Sequence, residues 1–377
     1  MIPFAEIETP VLLLDEMRMD RNIARMRARV ETQGVAFRPH LKTSKCIEVA
    51  RRLTAGPSGA VCLSTLKEAE FCFGHGYTDV LYAVGITPSK LEHVAGLRER
   101  GCDLKIILDS EEAATALVEF SRVCGTLLPA LIEIDSDGRR AGVSPDSDAL
   151  LAIGDLLGAS LSGVMTHAGG SYDCGSVEDI GAVAEQEQAC ALRAAERLRA
   201  VKLPCPIVSV GSTPTAMCGG RLTGVTEVRA GVFVFQDLIM AGLGICQVDD
   251  IALSVLCTVI GHQHDKGWVI TDAGWMAMSR DRGTARQATD QGYGLVCEEG
   301  GRPIPGLIVI ETSQEHGIVT HRSGETSLTR ALPVGTRLRI LPNHACATAA
   351  QHDRYHVIAA TAPHAAVSQV WPRFSGW

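Results

Sequence analysis

The pattern of apolar and polar positions divides the chain into two stretches of different period. From residue 10 to about 240, short apolar runs alternate with longer segments whose apolar positions recur every three or four residues. TPVLLLDE (9–16) reads as a strand; the next segment, with Ile23, Met26 and Val30 at helical spacing and Gly34 as a stop, reads as a helix. VAFRPHL (35–41), AVCLS (60–64), DVLYAV (79–84), LKIILD (104–109), ALIEID (130–135), LSGVMTH (161–167), PIVSVGS (206–212) and EVRAGVFVF (227–235) also read as strands. Helical patterns separate most of them, from SKCIEVARRL to the long SVEDIGAVAEQEQACALRAAERLRA. Ser110, followed by Glu111 and Glu112, has the residues of an N-cap, with acids at the positive end of the helix dipole.

The strands are continuous apolar runs rather than alternating ones, as in parallel strands covered on both faces. Eight units of about 25–30 residues predict a closed parallel (β/α)8 TIM-like barrel, an α/β fold, over an open doubly wound sheet. Beyond residue 245 the long helical patterns stop. ALSVLCTVIGHQ, KGWVITDAG, GYGLVCEE, LIVIETSQEHGIV, TRLRILPNH and YHVIAAT read as strands separated by Gly, Pro, Asp and Asn turns. The expected division is a barrel over 10–242 and an all-β domain built from 1–9 and 243–377.

Composition narrows the function. A net charge of −8 and 5% aromatics provide neither a basic field for a phosphate backbone nor a stacking surface for bases, so nucleic acid is not an expected partner. No apolar run reaches the roughly 18 residues of a membrane span. The 13 cysteines lie singly in apolar runs, without a CxxC pair, and MIPFAEIETP has no basic stretch before an apolar core. Buried reduced thiols in a cytoplasmic protein are expected. The 38 glycines predict many tight turns and close backbone–ligand approaches.

In a β/α barrel the chemistry sits where strands end. Lys42 and His40 follow the first barrel strand, Asp135, Arg139 and Arg140 the fifth, and His167 and Tyr172 the sixth. The seventh and eighth end in VGSTPT and RAGV, where glycine and the hydroxyls of Ser212 and Thr213 could cradle a phosphate. A lone lysine at a strand end is ordinarily a solvated group. Beside a phosphate site it can instead form a Schiff base with pyridoxal phosphate.

TPVLLLD, RPHLKTSK, CLSTLKEAE, EIDSDGRRAGV, MTHAGGSY, VGSTPT, EVRAGVFVFQD and LPNHACAT occur in this order. In these motifs, nearly end to end, the chain resembles the D-threonine aldolase / D-serine dehydratase family of fold-type III pyridoxal-phosphate enzymes. The resemblance implies Lys42 as the Schiff-base lysine that also moves the α-proton, His167 against the pyridine ring and Tyr172 near the pyridine nitrogen. It implies Arg140 toward the phenolate oxygen, with Arg139 a solvated neighbour, and Gly211, Ser212, Thr213, Gly231 and Val232 around the phosphate.

His344 and Cys346 form an i, i+2 pair, which on an extended segment faces one side and can reach one ion. Thiolate and imidazole favour zinc, and two protein ligands leave positions for substrate and water. In the family a divalent metal (Zn, or Mg/Mn) holds the substrate's β-hydroxyl and carboxylate. The aldolases have aspartate at the position of Cys346 and the dehydratases cysteine. The implied activity is therefore a metal-dependent ammonia-lyase, or dehydratase. It would convert a D-3-hydroxy amino acid, D-threo-3-hydroxyaspartate or D-serine, to a 2-oxo acid and ammonia, and a homodimer is expected. D-Threonine or 3-hydroxy-D-aspartate retro-aldol cleavage is the first alternative. A non-catalytic cofactor-homeostasis protein is the second, but those barrels lack a β-domain and the PNHxC pair. A racemase would need a tyrosine base opposite the lysine, and no matching motif carries one. Arg280, Arg282 and Arg286 are candidates for a second substrate carboxylate, with a solvated loop the other reading. His316 reads as an acid/base or supporting group, or equally as a buried structural histidine.

Overall fold

The computed structural model describes residues 1–54, 56, 59–358 and 366–377, apart from the side chains of 328 and 329. Two short strands, β1 (Ile2–Pro3) and β2 (Val11–Asp15), lead into helix α1 (Glu16–Glu31). The alternating segment follows: β3 (Ala36–Pro39), α2 (Ile47–Leu53), β4 (Val61–Leu63), α3 (Leu66–Gly74), β5 (Asp79–Gly85), α4 (Leu91–Glu99), β6 (Asp103–Leu108) and α5 (Glu111–Cys124). It continues with β7 (Ala130–Ile134), α6 (Asp148–Leu157), β8 (Leu161–Thr166), α7 (Val177–Ala200), β9 (Ile207–Val210), α8 (Thr213–Cys218) and β10 (Glu227–Ala230). The Ser110 hydroxyl accepts a hydrogen bond from Ala113 N and caps α5, as its sequence predicts.

Strands β3 to β10 form one sheet of eight parallel strands in the order β3-β10-β9-β8-β7-β6-β5-β4, and a His40–Cys62 bridge joins its two edges. The expected barrel is present, in a compact unit of residues 25–231 and 374–377. Its interior is apolar on one side, where Cys62, Leu81, Ile107, Leu131 and Met165 from five neighbouring strands pack together. The opposite side is charged. Arg38 Nε bonds Glu227 Oε2 at 2.9 Å, Ser209 Oγ bonds Glu227 Oε1 at 2.6 Å, and Arg229 Nε bonds Ser209 Oγ at 2.8 Å. Each of these buried charges thus has a partner, as burial requires.

The second unit comprises residues 1–24 and 232–373. Its elements are α9 (Leu238–Gly242), β11 (Leu253–Gln263), β12 (Trp268–Thr271), α10 (Trp275–Met278), β13 (Gly294–Glu298), β14 (Pro303–Thr312) and β15 (Gly317–His321). After them come α11 (Leu328–Ala331), β16 (Arg337–Pro342), α12 (Ala345–Ala349), β17 (Arg354–Ile358), β18 (Ala366–Val367) and β19 (Gln369–Pro372). The main sheet runs β12-β15-β14-β13-β16-β11-β2-β17-β19, and a further β12–β11 pairing closes its first six strands into an antiparallel ring.

Three expectations change. TPVLLLDE is a strand, but it is not part of the barrel: β2 pairs antiparallel with β11 and parallel with β17, so the β-domain takes residues 10–15 as well as 1–9. EVRAGVFVF is a strand only to Ala230, because the backbone turns into a 3-10 helix at Val232–Val234. Not every thiol is hidden: all 13 cysteines are free, but Cys124 is exposed. The tail of the predicted strand YHVIAAT, residues 359–361, lies outside the described residues.

Candidate active site

At the C-terminal rim of the barrel, Lys42 follows β3 on a tight turn whose backbone N donates to His40 Nδ1 at 3.3 Å. The Lys42 side chain is exposed and makes no ion pair with a described residue. Its charge bears on both His40 and His167. Burial, Lys42 and Arg229 together push the His167 imidazole down to about 3, and the same causes hold His40 well below its ordinary value. Both rings are therefore neutral at pH 7. His167 Nδ1 lies 3.3 Å from Gly211 O, a contact that requires the proton on Nδ1.

Tyr172 sits in a short 3-10 helix, Gly169–Asp173, with its ring centroid 6.3 Å from that of His167. The Arg140 guanidinium is exposed and donates to Glu133 Oε1 at 3.2 Å, while Arg139 pairs with Asp173. Gly211 follows β9 at φ +127°, and a Cβ there would lie 2.3 Å from Arg229 O. Only glycine lets β9 and β10 run this close. At Gly231 a Cβ would meet His40 O at 3.0 Å. The Ser212 hydroxyl is already engaged. It caps α8 by accepting from Thr215 N at 3.2 Å and bonds Ser171 Oγ at 3.0 Å. Thr213 is the first residue of that helix, and Val232 opens the 3-10 turn after β10.

In the β-domain, the PNHAC segment is not extended as expected. His344 is the N-cap of α12, and Cys346 lies in its first turn. The two still meet: the Cys346 thiol hydrogen-bonds the His344 ring. His344 Nδ1 lies 2.7 Å from Asp281 Oδ2. Burial lowers the His344 pKa, but the bonds to Asp281 and Cys346 outweigh it and push the ring up to about 11. Asn343 locks this corner, donating to Asp281 O at 3.0 Å and Gly292 O at 2.6 Å and accepting from Thr284 Oγ1 at 3.0 Å. Asp237, fully buried, accepts from Ala345 N at 2.9 Å. Among the described residues, no group of three or more His, Cys, Asp or Glu side chains is placed to hold an ion.

Of the three candidate arginines, Arg282 bonds Asp290 at 2.7 Å and lies over the Tyr293 ring, Arg280 lies over Trp275, and Arg286 is exposed. His316 is exposed, which removes the buried structural reading.

The profile described as "Alanine racemase, N-terminal domain" matches residues 14–238, and that described as "Putative serine dehydratase domain" matches 252–358. A D-threo-3-hydroxyaspartate dehydratase of Delftia sp. (strain HT23) is 54% identical over 98% of each chain. The chain belongs to the D-threonine aldolase / D-serine dehydratase family of fold-type III pyridoxal-phosphate enzymes. A solved structure from this family, a Cys-to-Ala mutant of D-threo-3-hydroxyaspartate dehydratase described as in the metal-free form, superposes with a TM-score of 0.96 at 53% identity, covering all of both chains. The D-threonine aldolase of Filomicrobium marinum is more distant, at 26% identity and a TM-score of 0.82 over 98% of this chain and 96% of its own.

The cofactor of the family fits the residues present at the barrel rim. An exposed amine without a counter-ion, two neutral imidazoles, and the cations Arg229 and Arg140 suit an anionic aldehyde. The donor set at His344 also suits a metal. With Asp281 on Nδ1, the other ring nitrogen is the one that can ligate once a metal displaces its proton, in the carboxylate–histidine arrangement common at metal sites. Sequence reasoning missed Asp281, Asp237, Asn343 and helix α8. An isolated Asp in a basic loop carries no motif, and only folding brings it to His344.

Proposed function

We propose that this family member is a pyridoxal-phosphate- and metal-dependent ammonia-lyase that converts a D-3-hydroxy amino acid, D-threo-3-hydroxyaspartate before D-serine, to a 2-oxo acid and ammonia. The observation that carries this is the 54% identity to a D-threo-3-hydroxyaspartate dehydratase over 98% of both chains. Cys346, where the resemblance gives the aldolases an aspartate, supports elimination over retro-aldol cleavage.

Pyridoxal phosphate, when bound, supplies the electron sink that makes the substrate α-proton removable. Lys42 would hold the cofactor through its Nζ, and the same atom would take the α-proton. His167, neutral and fixed through Nδ1, would present a flat face to the ring without adding charge. Tyr172, a weak acid, would leave the ring nitrogen less protonated than a carboxylate would. Arg140, bonded to Glu133 in this structure, would turn toward the phenolate oxygen. The segments at Gly211, Ser212, Thr213, Gly231 and Val232 would surround the phosphate. Ser212 N and Oγ are both committed to Thr215 in the cap of α8, and Gly211 N to Glu187. His344 and Cys346 would hold a divalent metal, zinc by the softness of the thiolate, giving Lewis acidity toward the β-hydroxyl. A homodimer is proposed from the family resemblance, and thirteen free cysteines suit a reducing, cytoplasmic setting.

The test is an assay of the purified chain with D-threo-3-hydroxyaspartate, D-serine and D-threonine. Ammonia and a 2-oxo acid are expected from the first, and more slowly from the second. Glycine and an aldehyde as the main products would overturn the assignment in favour of the aldolase.

A further inference from the structure

Helix α7 carries a carboxylate that the proposed reaction does not use. Glu187 is 2% exposed, and no Lys, Arg or His among the described residues forms an ion pair with it. Its Oε1 accepts two backbone hydrogen bonds, from Ala168 N at 3.1 Å and from Gly211 N at 3.0 Å. The Thr215 hydroxyl bonds the same carboxylate. The three donors belong to separate segments. Ala168 follows His167 after β8, Gly211 follows β9, and Thr215 lies in the first turn of α8. These bonds, with the charge of Arg229, offset the cost of burying a carboxylate at a position that would ordinarily be apolar.

The neighbouring residues of α7 make simpler ties. Gln186 Nε2 donates to Ser136 O at 2.6 Å, and Gln188 Nε2 to Thr223 O at 3.1 Å. Of these three residues, Glu187 joins two rim loops at a single atom. Gly211 is held on both sides, its N–H by Glu187 and its carbonyl by His167 Nδ1 at 3.3 Å. Ser171 Oγ and Ser212 Oγ, 3.0 Å apart, repeat the link between the same two loops.

We propose that Glu187 is a positioning residue, which sets the distance between the His167 ring and the Gly211–Thr213 turn and so holds the ring and the phosphate of one cofactor in register. The proposal deepens, and rests on, the reading of this rim as the pyridoxal-phosphate site. Removing the carboxylate leaves two buried N–H groups without an acceptor and frees each loop to shift independently. The cost then falls on a ligand that must touch both loops.

The experiment uses the full chain, freed of cofactor and titrated separately with pyridoxal phosphate and with pyridoxal, which lacks the phosphate. Glu187→Ala is expected to bind pyridoxal phosphate roughly 10- to 100-fold more weakly and to lose most of the wild-type preference for the phosphorylated form. Glu187→Gln keeps the Oε1 acceptor and is expected to stay within about threefold of wild type. Equal weakening toward both ligands would mark a general loosening of the barrel and overturn the proposal, as would an unchanged Glu187→Ala protein. If Glu187→Ala does not fold, Glu187→Asp, which withdraws the acceptor by one methylene, is read in the same way. Failure of the wild-type chain to bind pyridoxal phosphate at all would instead overturn the cofactor reading beneath it.

Discussion

His344 Nδ1 and Asp281 Oδ2 are 2.7 Å apart, although 63 residues separate them in the chain. The contact fixes the plane of the imidazole and directs its remaining nitrogen, with the Cys346 thiol beside it. Asp281→Ala is expected to lower metal affinity about 10- to 100-fold while pyridoxal phosphate stays bound, and added metal should restore turnover. Metal content after dialysis checks this. For the wild-type chain, full activity after exhaustive chelation would refute the metal role altogether.

Lys42→Ala removes the exposed amine that follows β3 at the barrel rim. The reconstituted variant is expected to show the absorbance of a free aldehyde rather than that of the lysine-bound cofactor, and turnover should fall by more than about 100-fold. An unchanged spectrum would show that another amine holds the cofactor.

His167 and His40 are both neutral in the folded chain, with His167 pushed down to about 3. Their unfolded value is about 6.5, so below that pH the unfolded chain binds the extra protons. For His167, stability is then lost as pH falls from about 6.5 toward 3, at up to about 1.4 kcal/mol per pH unit, and His40 acts in the same direction. Urea midpoints of the cofactor-free chain at pH 7, 6 and 5 should show the decline. His167→Gln should flatten it, and a variant slope equal to wild type would mean that this ring is not the titrating group.

Arg282 is committed to Asp290, whereas Arg280 lies over the Trp275 ring and is the candidate to meet a second substrate carboxylate. Replacing Arg280 with Met should raise KM for D-threo-3-hydroxyaspartate by about tenfold and leave D-serine unaffected, since a lost charged hydrogen bond is worth about 1.5–3 kcal/mol. Equal effects on both substrates would return this arginine to the solvated loop.

Much of the barrel is legible in the chain because each strand–helix unit is local. Continuous apolar runs declare buried parallel strands, and Ser110 with its two glutamates declares a helix start. The rim residues Lys42, His167 and Tyr172 were also within reach, since a parallel strand delivers whatever follows its last apolar residue to the same end of the barrel. The neighbouring motifs misled where a long-range partner decides the outcome. β2 looks like any barrel strand, yet β11 and β17 claim it from the far end of the sequence.

The sequence by itself determined the periodicities, and therefore a parallel β/α unit joined to an antiparallel one, and it also displayed the lysine, histidine and cysteine motifs. Only the tertiary structure decided which side chains hold those motifs in place. Asp281 reaches His344, Asn343 pins the loop, and Glu187 ties Ala168 to Gly211, across separations that no local pattern encodes. Hydrogen bonds are directional and act over about 3 Å, so such partners become visible only once the chain has folded.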